Sequence, residues 1–486
     1  MKTIHVVTRR EDNDYIKNII IDGTLEEIKE LYEGQTIKVD GLTEILKVTK
    51  EELSTIISIN INKGFPYGLL IDNYFILCEE ITLYSLIDYE KKCLNLINLK
   101  RYFQEKKKNF KINIEDISVF DTESILLGEK DTLLDYCNGF HVQNRLKPKT
   151  IKEVINKAST KLLNMSYSTG KFIYGIDALT GEKYTSYNLL RHAGSIWSII
   201  NAKKYIKDPD LEQRVEKIID YILDRYMVRR RNKIFISKSE RKDACSIGAS
   251  GLMLLALTDY QVQFKNDKYL EIAKGIADGI LSMQQPNGQY YQIYDNNLEL
   301  KEPFECEFYV GETTLALMKI YAITKEEKYL DSVMDALDYC ISIGFEKYSD
   351  HWMAYTLAAL SEYVQNEKII EFATRNVNAV QRTRFNPTRL EASVQLYKFY
   401  ENMKKYDQFA SNLEEFPIEQ VESNINFYLK MLMSYYIDDE TAIYMKNINI
   451  SKYGFFCPTD NNRMRIDDIQ HSIMGLMNYI EICNKE

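Results

Sequence analysis

The feature that most constrains the fold is a kind of helical segment that recurs six times after residue 148. Each copy begins with polar or charged residues, passes through small residues and continues as an almost entirely apolar run. A helix that is apolar on nearly all sides has to be covered on all sides. The six segments begin at Arg191, Cys245, Glu305, Asp350, Thr388 and Asp467.

Amphipathic helical patterns with one polar face alternate with these apolar segments. They lie near residues 148–165, 210–227, 267–284, 326–343, 366–382 and 419–436. Six buried helices that alternate with six half-exposed helices match a closed ring of helical hairpins, because the outer helices cover the inner ones. The sequence therefore predicts a mainly α protein with an (α/α)6 toroid over residues 148–486.

Residues 1–147 follow another pattern. Short β-branched runs predict strands at 3–8, 16–21, 36–39 and 68–78, the last with a turn at Asp72-Asn73. Helical patterns alternate with them at 25–32, 94–106 and 131–137. We therefore expect a smaller α+β domain over residues 1–147, to which the sequence assigns no role.

Composition excludes several kinds of partner. The net charge of −9 argues against nucleic acid, because affinity for the phosphate backbone comes from clustered Lys and Arg. No uncharged apolar run reaches the ~18 residues of a membrane span, and the N-terminal residues lack the apolar core of a signal peptide. The 8 cysteines include no C-x-x-C pair, which is typical of free thiols in a reducing compartment. We expect a cytoplasmic protein with neither a nucleic-acid nor a membrane partner.

Short hairpins rich in Gly and aromatic residues precede several of the apolar helices. They lie at 170–174, 232–235, 288–291 and 454–456. Each joins an outer helix to an inner one, and such connections all leave a toroid at the same end. Their aromatic side chains would line a cleft for a ligand at that end.

Two of these motifs resemble a known superfamily. The turn Gln284-Gln285-Pro286-Asn287-Gly288-Gln289-Tyr290 and the helix start Tyr309-Val310-Gly311-Glu312 look like those of the six-hairpin toroids. That superfamily includes unsaturated glucuronyl hydrolases, N-acylglucosamine 2-epimerase-like proteins, lanthionine cyclases and the toroids of prenyltransferases and terpene cyclases. The resemblance implies the toroid over about two thirds of the chain and does not fix an activity.

Candidate catalytic residues gather at the predicted starts of the inner helices. Asp467 and Asp468 share a helix face with His471, and a carboxylate that orients an imidazole forms an acid–base pair near neutral pH. We predict that one of these aspartates holds His471. The alternative is a helix N-cap beside a buried structural histidine.

Three more residues complete the predicted catalytic set. Glu307 and Glu312 belong to a carboxylate cluster, and paired carboxyl groups carry out acid and base catalysis in glycoside hydrolysis. His351 begins another inner helix beside Asp350. Capping of helix N-termini is the alternative role of each single acid.

Candidate substrate-binding residues are basic or aromatic. Arg191 and His192 suit a carboxylate or phosphate on a ligand, and Trp352 could stack on a sugar ring. Structural ion pairs and core packing are the alternatives. The remaining members of the set are Tyr187, Tyr309, Tyr290, Arg389 and Arg465.

We expect no cofactor and no bound metal. A zinc site is an alternative, made of Cys245, Cys306 and one histidine among His192, His351 and His471. However, the adjacent Cys-His pair of lanthionine cyclases is absent, as are a G-x-G-x-x-G fingerprint and a P-loop.

The leading functional hypothesis is an intracellular carbohydrate-active enzyme, a hydrolase or an epimerase acting on a sugar or uronate-like group. Its partner would be a small-molecule or glycan substrate. Two alternatives stay open: an enzyme that tailors a peptide or other natural product on the same toroid, and a non-catalytic module that binds a glycan or peptide. On the catalytic hypothesis, His192, Glu307, His351, Asp468 and His471 should line one cavity.

Overall fold

A computed structural model describes residues 3–12, 14–108, 117–128, 130–143, 146–295, 297–380 and 385–484. Six helices form the inner ring, and each packs against the next until the last packs against the first. They are α6 (Leu189–Asn201), α8 (Ile247–Phe264), α10 (Phe308–Thr324), α12 (His351–Leu360), α14 (Thr388–Met403) and α19 (Ile466–Cys483). The predicted closed ring is confirmed.

Six outer helices cover the inner ring. They are α5 (Pro148–Asn164), α7 (Leu211–Tyr226), α9 (Leu270–Leu281), α11 (Glu327–Ser342), α13 (Glu367–Ala379) and α16 (Ile418–Ser434). The connections contain three short helices, α15 (Ala410–Glu414), α17 (Asp439–Ala442) and α18 (Ile448–Ser451), and 3-10 turns at Phe345–Tyr348 and Asp407–Phe409.

Burial explains the two sequence patterns. In α8 every residue from 247 to 260 is buried, as expected of a helix surrounded by other helices. In α7 the buried residues recur at helical spacing and the rest of the helix faces solvent. None of the helices in the described ranges combines the length and the apolar character that crossing a bilayer requires.

The predicted hairpins join outer to inner helices. At Gly288, φ is +86°, and a Cβ atom would lie 2.1 Å from the carbonyl oxygen of Asp335 in α11. Only glycine fits there, because the position combines a left-handed backbone with close packing on the next outer helix. The hairpins and the connections near them contain β11 (Gly175–Asp177), β12 (Met227–Arg230), β13 (Lys233–Ile236), β14 (Ala244–Ser246), β15 (Ile293–Asp295), β16 (Leu300–Glu302) and β17 (Arg463–Arg465).

A sheet of eight antiparallel strands precedes the ring. Its strands are β1 (Ile4–Glu11), β2 (Asp14–Ile21), β3 (Ile37–Lys47), β4 (Gly68–Ile71), β5 (Tyr74–Ile76), β8 (Ile117–Leu127), β9 (Thr132–Cys137) and β10 (Phe140–Gln143). The order is β10-β9-β8-β3-β1-β2, and β4 pairs with β5 and β8. A two-stranded pair, β6 (Ile87–Asp88) and β7 (Cys93–Leu94), and the helices α1 (Leu25–Leu31), α2 (Lys50–Ile59), α3 (Cys78–Leu83) and α4 (Leu96–Glu105) complete this segment.

The prediction of a helix at 131–137 is wrong. This segment forms strand β9, which pairs with β8 on one side and β10 on the other. A short apolar run fits either structure, and here the neighbouring strands decide between them. The sequence pattern also missed α2, α3, β6, β7, β8 and β10.

The sheet and the ring share one hydrophobic core. Val6, Phe120 and Phe140 of the sheet belong to the same buried cluster as the ring helices. The fully buried Lys38 of β3 reaches the hydroxyl of Tyr444 at 3.3 Å. The division into domains at residues 147 and 148 stays a prediction.

Candidate active site

The inner helices begin around one cleft of about 420 Å³. All six contribute to its wall, mostly through their first two turns, as expected when parallel helices start at the same end of a ring. Most of the predicted site residues line this cleft. They are Arg191, Tyr309, Glu312, His351, Trp352, Arg465, Asp467, Asp468 and His471.

His471, in the second turn of α19, is held by a carboxylate of the neighbouring helix α14. Its Nδ1 lies 2.7 Å from Oε1 of Glu391, which is fully buried. Burial by itself lowers the pKa of His471, but the Glu391 carboxylate outweighs burial and the pKa is raised above the ordinary value. Asp467 and Asp468 add to the rise. His471 therefore keeps its proton to higher pH than an ordinary histidine, and Nε2 is the ring nitrogen left for a ligand.

His351 is the first residue of α12 and lies beside His471. The two imidazole rings are perpendicular, with their centroids 4.9 Å apart. Burial lowers the pKa of His351 well below the ordinary value, and the charges of His471 and Arg389 act in the same direction. Its Nε2 is buried and has no hydrogen-bond partner among the described residues. His351 is thus a neutral imidazole with a free nitrogen.

Glu312 provides a third titratable group. Burial raises the pKa of its carboxyl group well above the ordinary value, and the nearby Asp350 adds to this. Oε2 of Glu312 is buried without a hydrogen-bond partner in the described part of the chain. The two acids come close because Gly311 has no side chain: a Cβ atom there would lie 2.1 Å from Oδ2 of Asp350. The raised pKa favours the neutral acid form of Glu312, which can donate a proton or a hydrogen bond.

The predicted pairing of His471 with Asp467 or Asp468 is wrong, because arginines bind both aspartates. Arg465 donates to the two oxygens of Asp467, each at 2.9 Å, and Nε of Arg191 lies 2.8 Å from Oδ2. Arg463 donates to the two oxygens of Asp468, each at 3.0 Å. These ion pairs stabilise the mouth of the cleft and leave neither aspartate as a free base.

His192 and Tyr187 lie outside the cleft, contrary to prediction. His192 is fully buried, its ring stacks on Tyr221 of α7 at 5.5 Å, and Tyr187 binds its Nδ1. Because successive residues of a helix are about 100° apart, Arg191 faces the cleft while His192 faces the outer ring. Burial lowers the pKa of His192 to about 3.

Tyr290, Arg389 and Glu307 are also absent from the cleft wall. The hydroxyl of Tyr290 lies 2.6 Å from Oγ of Ser332 and so ties its hairpin to α11. Arg389 donates to the carbonyl oxygen of Ser349 at 2.8 Å. Glu307 is half-buried at the residue before α10. The prediction that five residues share one cavity thus holds for His351, Asp468 and His471 and fails for His192 and Glu307.

His351, Glu391 and His471 also have the donor types of a metal site, with their atoms within 4.8 Å of one another. However, both oxygens of Glu391 are already engaged: Oε1 by His471 and Oε2 by the hydroxyl of Tyr355, at 2.7 Å. In this arrangement Glu391 serves as the hydrogen-bond acceptor of His471 and Tyr355.

The alternative zinc site does not form among the described residues. Cys245 and Cys306 belong to neither of the groups whose donor atoms approach closely enough to share an ion. The second such group lies between the sheet and α3 and consists of Cys78, Glu79 and His141.

The candidate set drawn from the sequence leaves out Glu391, which lies at one of the inner-helix starts, and Tyr355. Glu391 is a carboxylate near the start of an apolar helix, and an acid inside such a run is the signal that could have identified it. Tyr355 carried no such signal, because tyrosine is common in this chain, with 36 copies.

Comparison with solved structures agrees with the toroid fold. A D-mannose isomerase is similar with a TM-score of 0.51 and 12% identity, over 69% of this chain and 98% of that chain. A cellobiose 2-epimerase from Bacillus thermoamylovorans B4167 is similar with a TM-score of 0.52 and 13% identity, over 69% of this chain and 100% of that chain. At these identities the similarity shows the fold alone. No protein-family model matches the sequence, and no curated protein matches it either.

Proposed function

We propose that this protein is a carbohydrate isomerase or epimerase that moves a proton at the carbon next to a sugar carbonyl group. The observation that carries the proposal is a pair of adjacent histidines whose environments shift their pKa values in opposite directions. Such a divergence assigns the base and the acid of a proton-transfer reaction.

His351 acts as the general base. It is neutral and its Nε2 has no partner among the described residues, so the nitrogen can accept the proton that leaves the sugar carbon. His471 acts as the general acid, because Glu391 keeps it protonated and leaves Nε2 to donate to the carbonyl oxygen. The carbon–hydrogen bond breaks and an enediol forms, with one proton taken up by His351 and one delivered by His471. Return of the proton from His351 to the neighbouring carbon, while the hydroxyl on the first carbon gives its proton to His471, forms the isomer. Return to the first carbon after the enediol has turned its other face to His351, while the proton delivered earlier goes back to His471, forms the epimer.

The carboxyl groups of the cleft favour this reaction over glycoside hydrolysis. A hydrolase uses one carboxylic acid and one free carboxylate at the glycosidic bond. Glu312 could serve as the acid. The two aspartates on the cleft wall, Asp467 and Asp468, are each bound by arginines at both oxygens. Glu312 is better suited to donate a hydrogen bond to a sugar oxygen.

The walls of the cleft suit a polyhydroxylated ligand. Arg191 and Arg465 keep donor groups at the mouth, and Trp352 and Tyr309 provide apolar faces with polar edges, as sugar rings require. The fold that this chain shares with a D-mannose isomerase and a cellobiose 2-epimerase supports the same substrate class.

The test is deuterium exchange. Purified protein is incubated in D2O with a panel of reducing monosaccharides, disaccharides and uronates, and NMR follows the proton at the carbon next to the carbonyl. We expect deuterium to enter one or more of these sugars together with formation of an epimer or ketose. His351→Gln and His471→Gln should abolish both. Release of new reducing ends without exchange would replace this proposal with a hydrolase.

A further inference from the structure

A second cleft lies at the other end of the ring. It has a volume of about 350 Å³, and residues toward the C-terminal ends of the six inner helices line it. Trp197, Trp352 and Tyr355 pack against one another between the two clefts, with ring centroids 5.4 to 5.9 Å apart. Tyr355 and Asn478 are among the residues that line this second cleft, which we call the far cleft.

A chain of hydrogen bonds runs from the far cleft to His471. Nζ of Lys398 donates to Oδ1 of Asn478 at 3.2 Å, and Nδ2 of Asn478 donates to the hydroxyl of Tyr355. The Tyr355 hydroxyl donates to Oε2 of Glu391 at 2.7 Å, and Oε1 of Glu391 lies 2.7 Å from Nδ1 of His471. The chain thus joins α14, α19 and α12 across the middle of the ring.

The hydrogen bonds in this series can run in one direction only, with each donor pointing from Lys398 toward Glu391. Lysine has no acceptor, so it must donate to the oxygen of Asn478, and the amide nitrogen of Asn478 then faces Tyr355. An amide nitrogen cannot accept, so the single hydroxyl proton of Tyr355 must go to Glu391. Both oxygens of Glu391 are thereby committed, and Nδ1 of His471 has to be the donor. The arrangement is buried: Asn478 is 6% exposed, Tyr355 7% and Glu391 0%.

We propose that Tyr355 and Asn478 are positioning residues, which fix the carboxylate of Glu391 and through it the tautomer and orientation of His471 from the far end of the ring. The inference rests on the proposed function for its kinetic consequence, but its structural consequence can be measured on the protein alone. Buried hydrogen-bond networks of this kind fix a single arrangement when every member is satisfied.

Two substitutions test the direction of these hydrogen bonds. Tyr355→Phe removes the hydroxyl and keeps the ring that packs on the two tryptophans. Asn478→Asp keeps the volume and provides a carboxylate that accepts the tyrosine proton, so the hydroxyl turns away from Glu391. Although their chemistry differs, both changes deprive Glu391 of the same hydrogen bond.

The matched control is Tyr260→Phe. The Tyr260 hydroxyl also donates to a carboxylate, Oε1 of Glu216 at 2.6 Å, and its side chain is also buried in an inner helix. It belongs to neither cleft. Any effect common to loss of a buried tyrosine hydroxyl will therefore appear in this variant too.

The direct measurement is NMR of protein labelled with 15N at histidine. The chain has only 5 histidines, and the signals of His471 are those that disappear in His471→Gln. We expect the Nδ1 signal of His471 to move in Tyr355→Phe and in Asn478→Asp, and to stay in place in Tyr260→Phe. If it coincides with the unsubstituted protein in whichever of the two test variants folds, the inference is overturned.

The kinetic measurement uses the sugar identified by deuterium exchange. We expect kcat to fall about tenfold in Tyr355→Phe and Asn478→Asp, with KM within about twofold, because the acid is misplaced while the binding wall is intact. A rise in KM with unchanged kcat would contradict positioning. If the His471 signal moves but no sugar exchanges in any form of the protein, the positioning inference stands and the proposed function fails. If exchange is found and the signal stays in place, the reverse holds.

Discussion

The two ends of the inner ring are built from the same six helices but treat buried polar groups differently. Behind the wall of the far cleft, Asp259 accepts hydrogen bonds from Nε1 of Trp197 at 2.7 Å and from Asn201 at 2.9 Å, and pairs with Lys319 at 3.4 Å. At the mouth, Nε2 of His351 and Oε2 of Glu312 are buried without a hydrogen-bond partner among the described residues. The buried carboxylate at the far end thus has its partners, whereas two groups that share the cleft at the mouth have none among the described residues.

This difference indicates where a ligand belongs. A buried polar group without a partner costs about 1–3 kcal/mol, so native structures keep few of them. Groups of this kind that share one cleft with a histidine pair are best explained by a ligand that completes their hydrogen bonds. The predictions below use substitutions at the two ends to break or sharpen this contrast.

The largest effect is expected at the histidine pair. His351→Gln or His471→Gln should lower turnover by about 10²–10⁴-fold, which is the usual contribution of a positioned acid or base. The melting temperature should change little in His351→Gln, because Nε2 of that imidazole has no partner among the described residues. It should fall by a few degrees in His471→Gln, because the buried Glu391 loses its charged partner. Turnover and thermal unfolding of each variant are the measurements.

His192→Gln is the control for the loss of turnover expected at His351 and His471. His192 is buried between the inner and outer rings, so its substitution should cost about 1–3 kcal/mol of the free energy of unfolding and leave turnover of the folded protein intact. Equal losses of activity at His192 and His471 would mean that the cleft does not define the active site.

The next effect concerns pH. His471 has a raised pKa and acts as the acid, so the rate should fall as pH rises through a value above the ordinary ~6.5 of histidine. His351 has a lowered pKa and acts as the base, so the acidic limb should lie below that value. Glu391→Gln removes the main charge that raises the pKa of His471. The alkaline limb of kcat/KM should therefore move to lower pH, and an unmoved limb would exclude His471 as the acid.

The contrast between the two ends of the ring also shows how much of the structure could be predicted from the sequence alone. Helical periodicity and the apolar runs identified the twelve ring helices, because the distribution of apolar residues around a helix indicates how many of its faces are buried. The same topology predicted that helix starts converge, which placed His351 and His471 in one cleft. It could not reveal that Glu391, 80 residues away, holds His471, because that pairing depends on the rotation of two helices. The error at His192 has the same origin, since one step along a helix changes the face.

A smaller effect is expected at Glu312. Its folded-state pKa is raised, so between its unfolded and folded values only the unfolded chain is ionised and stability falls as pH rises. Glu312→Gln removes this cost and should raise the melting temperature at pH 7.5 by roughly 2 °C. The difference should vanish near pH 4, where the carboxyl is protonated in both states. Activity should fall about tenfold if Glu312 donates to the substrate, so a more stable and fully active variant would remove Glu312 from the site.

The smallest effect is expected from Lys319→Met in the far cleft. Lys319 is partly exposed and pairs with Oδ1 of Asp259, while Oδ2 keeps its hydrogen bonds from Trp197 and Asn201. Removal of the lysine charge therefore leaves the buried carboxylate with two hydrogen bonds. Because the lysine is 38% exposed and its nitrogen lies 3.4 Å from the carboxylate, water already weakens this ion pair. Turnover should be unchanged and the melting temperature should stay within about 2 °C of the unsubstituted protein. A large loss of turnover would show that the far cleft itself binds substrate or a regulator, and the contrast between the two ends would then be one of ligand type rather than of satisfied and incomplete sites.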